Sequence, residues 1–78
     1  MTKQIKIEEL IPFMKKGWVA CDEDGTWLWY FEKPKLEIWM GCWNYHGSYY
    51  EEISNAFNII PAKDWTKSLK KAGKEDEI

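Results

Sequence analysis

The chain has 78 residues, of which 13 are acidic and 11 basic, so its formal net charge is −2. This length predicts one domain over residues 1–78, and the near balance of charge excludes the strong positive field of a typical nucleic-acid-binding domain. No apolar run approaches the roughly 18 residues of a membrane span, and the first ten residues lack the apolar core of a signal peptide, so we expect a cytoplasmic protein that contacts no membrane.

The sequence also sets expectations for the chain ends and for the two cysteines. We expect residues 1–5 and 74–78 to be frayed, because chain ends are poorly ordered unless other contacts hold them. In the cytoplasm Cys21 and Cys42 are expected to be reduced thiols.

The first predicted element is a short helix in the segment "IEELIPFMKKG". Ile7, Leu10, Ile11 and Met14 recur at helical spacing, and the glycine that ends the segment is a stop signal. Pro12 is unfavourable inside a helix because its ring clashes with the preceding turn. We therefore expect a bent or late-starting helix whose apolar stripe packs on a sheet.

Strands separated by turns follow the helix. The runs "GWVAC" and "TWLWYFE" flank "DEDG", which is a strong hairpin signal. A third strand, "KLEIWM", follows a turn at Pro34. If position 21 faces position 26 across a four-residue loop, one core face carries Trp18, Ala20, Trp27, Trp29, Phe31, Leu36, Ile38 and Met40.

The opposite face of this predicted sheet is also rich in apolar residues. Val19, Leu28 and Trp39 would lie in one cross-strand row. A sheet face in water normally alternates with polar residues, so we expect something to cover this one. A second copy of the chain is one candidate, which predicts a homodimer or tetramer.

The last third of the chain predicts a short strand and a helix. "AFNII" has strand character, and "DWTKSLKKAG" reads as a C-terminal helix with Asp64 as N-cap and Gly73 as stop. The predicted fold class is therefore α+β: an N-terminal helix packed on a small twisted antiparallel sheet of three to five strands, followed by a short C-terminal helix.

The sequence contains no convincing signal for metal binding or catalysis. Cys42 and His46 give one half of a zinc site, and structural zinc needs four ligands. No nucleophile motif with an orienting partner is present. We therefore expect no metal, no cofactor and no enzymatic activity.

The strongest signal is the segment 39–52, "WMGCWNYHGSYYEE", which holds two Trp, three Tyr and the single His. Its glycines break strand alternation, and its aromatic side chains carry polar tips that need hydrogen-bond partners when buried. Such groups suit a core, a pocket for a planar polar ligand, or a protein interface. All three interpretations remain open from the sequence.

The two ends of the chain resemble the type-two Thoeris anti-defence proteins, which are phage sponges for cyclic nucleotide signals. The similar outline comprises the helix and strand pattern "I..LI..MKKGWVA" and the closing "A.DW" at Ala62, Asp64 and Trp65. Cys21 stands where the family has arginine. The resemblance implies a small α+β homo-oligomer with ligand pockets between subunits, no catalysis, and a pocket near Asp64 and Trp65.

These observations predict a phage-type binding module that sequesters a nucleotide-like immune signal and so counteracts host antiviral defence. The predicted ligand-binding residues are Trp39, Trp43, Asn44, Tyr45, His46, Tyr49, Tyr50, Lys63, Asp64 and Trp65. The alternative is a small inhibitor that binds a host protein through the aromatic patch. A third reading, binding of single-stranded nucleic acid, rests on the lysines of the final segment and is disfavoured by the overall charge.

Overall fold

The structure, a computed structural model, describes residues 3–47 and 49–73, so the predicted fraying of residues 1–2 and 74–78 lies outside the described residues. A short helix, α1 (Ile7–Leu10), continues into a 3₁₀ turn at Ile11–Phe13. The strands are β1 (Gly17–Cys21), β2 (Trp27–Tyr30), β3 (Lys35–Glu37), β4 (Cys42–Asn44), β5 (Tyr50–Glu52) and β6 (Lys70–Ala72).

The strands form two antiparallel sheets. The larger has the order β5-β2-β1-β6, and β3 pairs with β4 in a second sheet of two strands. An N-terminal helix beside predominantly antiparallel strands makes the fold α+β, as predicted. The prediction that "KLEIWM" extends the hairpin as its third strand is wrong, because β5 takes the place beside β2 and residues Ile38–Met40 form a 3₁₀ turn.

The hairpin turn between β1 and β2 is one residue shorter than predicted. The N–H of Gly25 donates to the carbonyl of Asp22, and the N–H of Asp22 donates to the carbonyl of Thr26, each at 2.9 Å. Gly25 has φ +92°, a conformation that glycine adopts without strain. This is a three-residue loop with a bulge, and it places Cys21 opposite Trp27 rather than opposite Thr26.

The one-residue difference in register moves side chains between the two faces of the sheet. The helix-side core contains Ile7, Val19, Cys21, Trp27, Trp29, Ile59 and Ala72. The opposite core, which we call the hairpin-side core because β4 of the β3–β4 hairpin covers it, contains Ala20, Tyr30 and Trp43, with Trp18, Leu28, Leu36, Trp65 and Leu69 packed against it. The predicted single core face is therefore wrong, and Phe31, Ile38 and Met40 from that set are exposed.

The helix prediction is confirmed in its apolar stripe. Ile7 is buried, and Leu10, Ile11 and Met14 pack against the helix-side core. Pro12 lies in the 3₁₀ turn, so the α-helical bonds end before it. No helix in residues 3–47 or 49–73 combines the length and the apolar character needed to cross a membrane.

The segment before α1 pairs with the predicted short strand near Ile59. Ile5 donates its N–H to the carbonyl of Asn58 and accepts from the N–H of Ile60, both at 2.9 Å, which forms a parallel bridge. Ile59 itself is buried in the helix-side core. These bonds fix residues 58–60 beside the entry to α1.

The predicted C-terminal helix is absent from the structure, which has a 3₁₀ turn at Trp65–Lys67 followed by β6. Asp64 caps this turn as predicted, because its side chain accepts from the N–H of Thr66. Ser68 then donates its hydroxyl to the carbonyl of Trp65 at 2.7 Å, a local bond that competes with helix propagation. β6 instead pairs with β1, so the sheet bonds replace those of a helix.

Two serine hydroxyls complete the hydrogen bonding where the ladders end. The N–H of Cys21 donates to Ser68 Oγ, and the N–H of Trp27 donates to Ser54 Oγ, both at 2.8 Å. Cys21 and Trp27 are the last pair of the hairpin, and both are buried. The serines therefore satisfy donors that no further strand residue reaches.

Replacing Ser68 with alanine tests this role. Ser68→Ala leaves the buried N–H of Cys21 without an acceptor, so we expect a loss of about 1–3 kcal/mol in the free energy of unfolding. Thr66→Ala is the control, since its hydroxyl bonds to Asp64 at the surface and such changes stay within about 0.5 kcal/mol. Urea denaturation of both variants measures the difference, and equal stabilities would contradict the assignment.

Asp22 connects the hairpin turn to β4, because its Oδ1 accepts the N–H of Trp43 at 3.0 Å. Burial raises the pKa of this carboxyl, and Asp24 and Glu52 add to the rise, whereas the bond from Trp43 opposes it. The native state therefore holds the proton more tightly than the unfolded chain. Ionisation of Asp22 thus lowers stability as pH rises from its ordinary pKa of 3.8 through the raised value.

Asp22→Asn keeps the acceptor and removes the charge. We expect this variant to match the wild type near pH 3 and to become more stable than the wild type between pH 4 and 7. Asp22→Ala removes both the charge and the acceptor, so it should be about 1–3 kcal/mol less stable than Asp22→Asn at every pH. Thermal unfolding across this pH range provides the comparison, and a pH-independent difference for Asp22→Asn would refute the effect of charge.

Candidate functional site

The aromatic segment 39–52 divides into a buried part and an exposed part. Trp43 on β4 is only 8% exposed. Its indole Nε1 donates to the carbonyl of Trp65 at 3.1 Å, and Trp65 packs against the same hairpin-side core. Two predicted ligand-binding residues, Trp43 and Trp65, thus lie against each other in or beside the core, and the indole N–H of Trp43 is bonded within the chain.

The exposed part consists mainly of tyrosines at the β4–β5 connection. The rings of Tyr45 and Tyr50 lie 4.4 Å apart between centroids, at an interplanar angle of 38°. Tyr30 lies beneath them, 6.5 Å from Tyr50. The rings of Tyr49 and Trp29 lie edge to face with centroids 6.2 Å apart, and Trp29 belongs to the helix-side core, so the tyrosines form two aromatic groups, one beside each core.

Asn44 and His46 shape the turn of this segment. The side-chain oxygen of Asn44 accepts the N–H of His46 at 2.8 Å, and His46 has φ +54°. An asparagine that bonds to the backbone two residues ahead is typical of a tight turn. The hydroxyl of Tyr49 donates to Glu51, and this bond raises the pKa of Tyr49.

A cavity of about 330 Å³ lies on the helix side of the molecule, and we call it the lysine cavity. Four lysines line it, together with two carboxylates, and its apolar floor comes from Ile7, Trp27 and residues 60–62. Its charged residues are Lys6, Glu8, Lys63, Asp64, Lys67 and Lys70. Lys63 and Asp64 are the predicted site residues that the structure brings to it.

Three elements position these charges. Lys6 and Glu8 flank the start of α1, Asp64 and Lys67 belong to the capped 3₁₀ turn, and Lys70 begins β6. The ammonium of Lys70 lies 3.7 Å from a carboxylate oxygen of Glu8. The pKa of Asp64 is lowered by its hydrogen bonds from Thr66 and by Lys67, so this carboxylate stays ionised.

The charge of the cavity is opposite to that of the chain. Four lysines against two carboxylates leave an excess of two positive charges, whereas the whole protein carries −2. Its volume falls at the lower end of the range of small-molecule sites, about 300–1,000 Å³. A cavity with lysine ammonium donors and an apolar floor can hold an anion that also has an apolar part.

The floor of the lysine cavity is hydrogen-bonded within the chain. The indole Nε1 of Trp27 donates to the carbonyl of Ile60 at 2.9 Å, and the hydroxyl of Ser68 bonds to Cys21 and Trp65. Neither group is left to bind or attack a ligand. The lysines at the rim are thus the groups that are available for recognition.

The predicted site residues therefore do not form a single site. Among the described residues that line the lysine cavity, none comes from the segment 39–52. Sequence reasoning missed Lys6, Trp27, Lys67 and Lys70. The lysines of the final segment were visible as a pattern, but the pairing of β6 with β1, which brings them beside α1, has no local signal.

The cysteines do not form a reactive or metal-binding cluster. Both are free thiols, and burial is the main cause that raises the pKa of Cys21 and of Cys42. In residues 3–47 and 49–73 no three side chains among His, Cys, Asp and Glu come together as metal ligands. A raised pKa keeps a thiol protonated and weakly nucleophilic.

Comparisons with known proteins give no relative to guide the assignment. No family model matches the chain, and neither a curated protein nor a solved structure is similar to it. The geometry of the site and its chemistry are therefore the basis for any proposal.

The different environments of Trp43 and Tyr45 predict different effects of truncation. Trp43→Ala opens a cavity in the hairpin-side core, so we expect it to lower the free energy of unfolding by about 3–5 kcal/mol. Tyr45→Ala removes an exposed ring and should cost about 1 kcal/mol, on the scale of an aromatic pair. Chemical denaturation measures both. A small effect of Trp43→Ala would mean that the segment is not part of the core.

Proposed function

We propose that this chain is a non-enzymatic binding module that holds an anionic, nucleotide-like small molecule in the lysine cavity. The observation that carries the proposal is the local excess of positive charge around an apolar floor, on a protein that is acidic overall. Phosphate groups would contact Lys63, Lys67 and Lys6 at the rim. Ile60 and Pro61 offer an apolar surface for a base.

The chemistry of the cavity favours retention of the ligand over its conversion. Its described lining contains no histidine or cysteine, and the hydroxyl of Ser68 already bonds to backbone groups. Lysine ammonium groups are point-charge donors that suit phosphate binding. A protein that binds without turnover can lower the free concentration of its ligand, which fits sequestration of a nucleotide immune signal by a phage protein.

Isothermal titration with AMP, cyclic AMP, adenosine and inorganic phosphate tests the proposal. We expect AMP and cyclic AMP to bind more tightly than adenosine, because adenosine lacks the charge, and more tightly than inorganic phosphate, which lacks the base. Raising the salt concentration should weaken binding, since the lysines are exposed. Heat-denatured protein should also release any co-purified nucleotide, detectable by ultraviolet absorbance and mass.

Lysine variants locate the binding site. Lys67→Gln should weaken AMP binding by about tenfold, the effect of losing one charged hydrogen bond at the low end of its range. Lys35→Gln is the matched control, since Lys35 lies on β3 and not in the cavity lining. Equal losses in the two variants would show nonspecific attraction, and unchanged affinity in Lys67→Gln would place the ligand elsewhere.

A second candidate is inhibition of a host protein through the exposed tyrosines, which the stacking of Tyr45 on Tyr50 at the surface favours. Tyr50→Ala separates this candidate from ligand binding in the lysine cavity, because the variant alters the exposed tyrosines and should leave AMP binding intact. A short single-stranded oligonucleotide in the same titration tests nucleic-acid binding. Affinity for the oligonucleotide well above that for AMP would favour that third reading over the proposal.

A further inference from the structure

The turn between β3 and β4 presents three consecutive apolar side chains to solvent. Ile38, Trp39 and Met40 are 63%, 86% and 64% exposed, and we call Ile38–Met40 the Trp39 turn. A large aromatic side chain removes about 150–250 Å² from water when it is buried. Contiguous apolar exposure of this kind marks an interaction site more often than isolated exposed residues do.

The Trp39 turn is held in place by backbone bonds. Gly41, at φ +71°, donates its N–H to the carbonyl of Ile38 at 3.0 Å. The carbonyl of Gly41 accepts the N–H of Glu23 from the hairpin turn, also at 3.0 Å. The indole N–H of Trp39 donates to Glu37 at 3.2 Å, so the ring can be buried without leaving its polar atom unpaired.

Acidic residues flank this turn. Glu37 bonds to Trp39 itself, and the neighbouring hairpin turn contributes Asp22, Glu23 and Asp24. Two such turns packed face to face would bring carboxylates together, which is unfavourable. The charge therefore selects a partner surface that is apolar in the centre and basic at the rim.

The lysine cavity has this chemistry. Its apolar floor and its excess of two positive charges complement the Trp39 turn. The cavity wall at Pro61 lies close to the acidic hairpin turn, since a Cβ on Gly25 would be 3.3 Å from Pro61 Cγ. The Trp39 turn and the lysine cavity thus lie on either side of the hairpin turn between β1 and β2. The Trp39 turn does not line the cavity of its own chain.

We propose that two copies of the chain associate by placing the Trp39 turn of each copy against the lysine cavity of the other. A two-fold axis forms both contacts at once, because in a symmetric dimer every contact between different patches occurs twice. The pair buries two apolar turns and forms two acidic–basic contact regions. The predicted row of Val19, Leu28 and Trp39 on one sheet face does not form, because Val19 lies in the helix-side core and Leu28 packs against the hairpin-side core.

This inference uses the cavity of the proposed function, but it does not need the ligand. An anion in the lysine cavity competes with the acidic turn of the partner. AMP should therefore shift the equilibrium towards monomer. Trp39 lies outside the cavity lining, so Trp39→Ala should abolish the dimer and leave AMP binding at least as strong as in the wild type.

Analytical ultracentrifugation between 5 and 500 µM measures the association. We expect a concentration-dependent dimer for the wild type and at least tenfold weaker association for Trp39→Ala. Phe13→Ala is the matched control, since Phe13 is also a large apolar residue, 87% exposed, outside the turn and the cavity. Because Trp39 and Phe13 are exposed, both variants should fold, which thermal melting verifies.

A charge exchange tests which surfaces meet. Glu37→Lys reverses the charge that bonds to Trp39, and Lys67→Glu brings the cavity from an excess of two positive charges to none, so each variant alone should dimerise more weakly than the wild type. Mixing the two should restore association. The new ammonium of the Glu37→Lys turn then meets the new carboxylate of the Lys67→Glu cavity, and the unchanged turn of the second variant meets the unchanged cavity of the first.

Three outcomes overturn the inference. They are a wild type that stays monomeric up to 500 µM, a dimer that Trp39→Ala does not weaken, and mixed charge variants that do not associate. Failure of AMP to bind, with the dimer and the charge exchange as expected, would remove the proposed ligand and leave the interface. Loss of the dimer with AMP binding intact would remove the interface and leave the proposed ligand.

Discussion

The pairing of Cys21 with Trp27 across the hairpin is the constraint on which the rest of the structure depends. It is set by the three-residue loop and its glycine, because the bond between Asp22 and Thr26 leaves no other partner for Cys21. A shift by one residue would transfer Trp27 and Trp29 from the helix-side core to the opposite face. The helix-side core would then lose Trp27 and Trp29, and the hairpin-side core would lose Tyr30, so the turn and the packing stabilise the same register.

The lysine cavity is a consequence of that register. With Cys21 in its observed place, its N–H reaches Ser68, and the chain after Asp64 is held along β1. Lys67 and Lys70 thereby come beside the start of α1, where Lys6 and Glu8 lie. The hydrogen bond that ends the ladder thus also places the charged side chains of the proposed site.

The parts of the fold that the sequence predicted are those with local causes. The apolar stripe of α1, the hairpin and the Asp64 cap each depend on residues within a few positions of one another. The predicted register of the hairpin was wrong because "DEDG" permits loops of three or four residues. The predicted C-terminal helix was wrong because Ser68 and the edge of β1 favour a strand. The β1 edge lies more than fifty residues away in sequence, so it has no signature in "KSLKKAG".

The candidate site was harder to predict because the composition of a chain does not show which of its side chains the fold brings together. The polar tip of Trp43 suggested a ligand contact, yet the backbone carbonyl of Trp65 accepts its hydrogen bond inside the core. A net charge of −2 likewise indicated no electrostatic preference. In the folded chain that small sum separates into an acidic hairpin turn and a basic cavity, each with a field of its own over about one Debye length, 8–10 Å. The proposed recognition therefore depends on where the fold places its charges, so the register of one hairpin determines whether the proposed site forms.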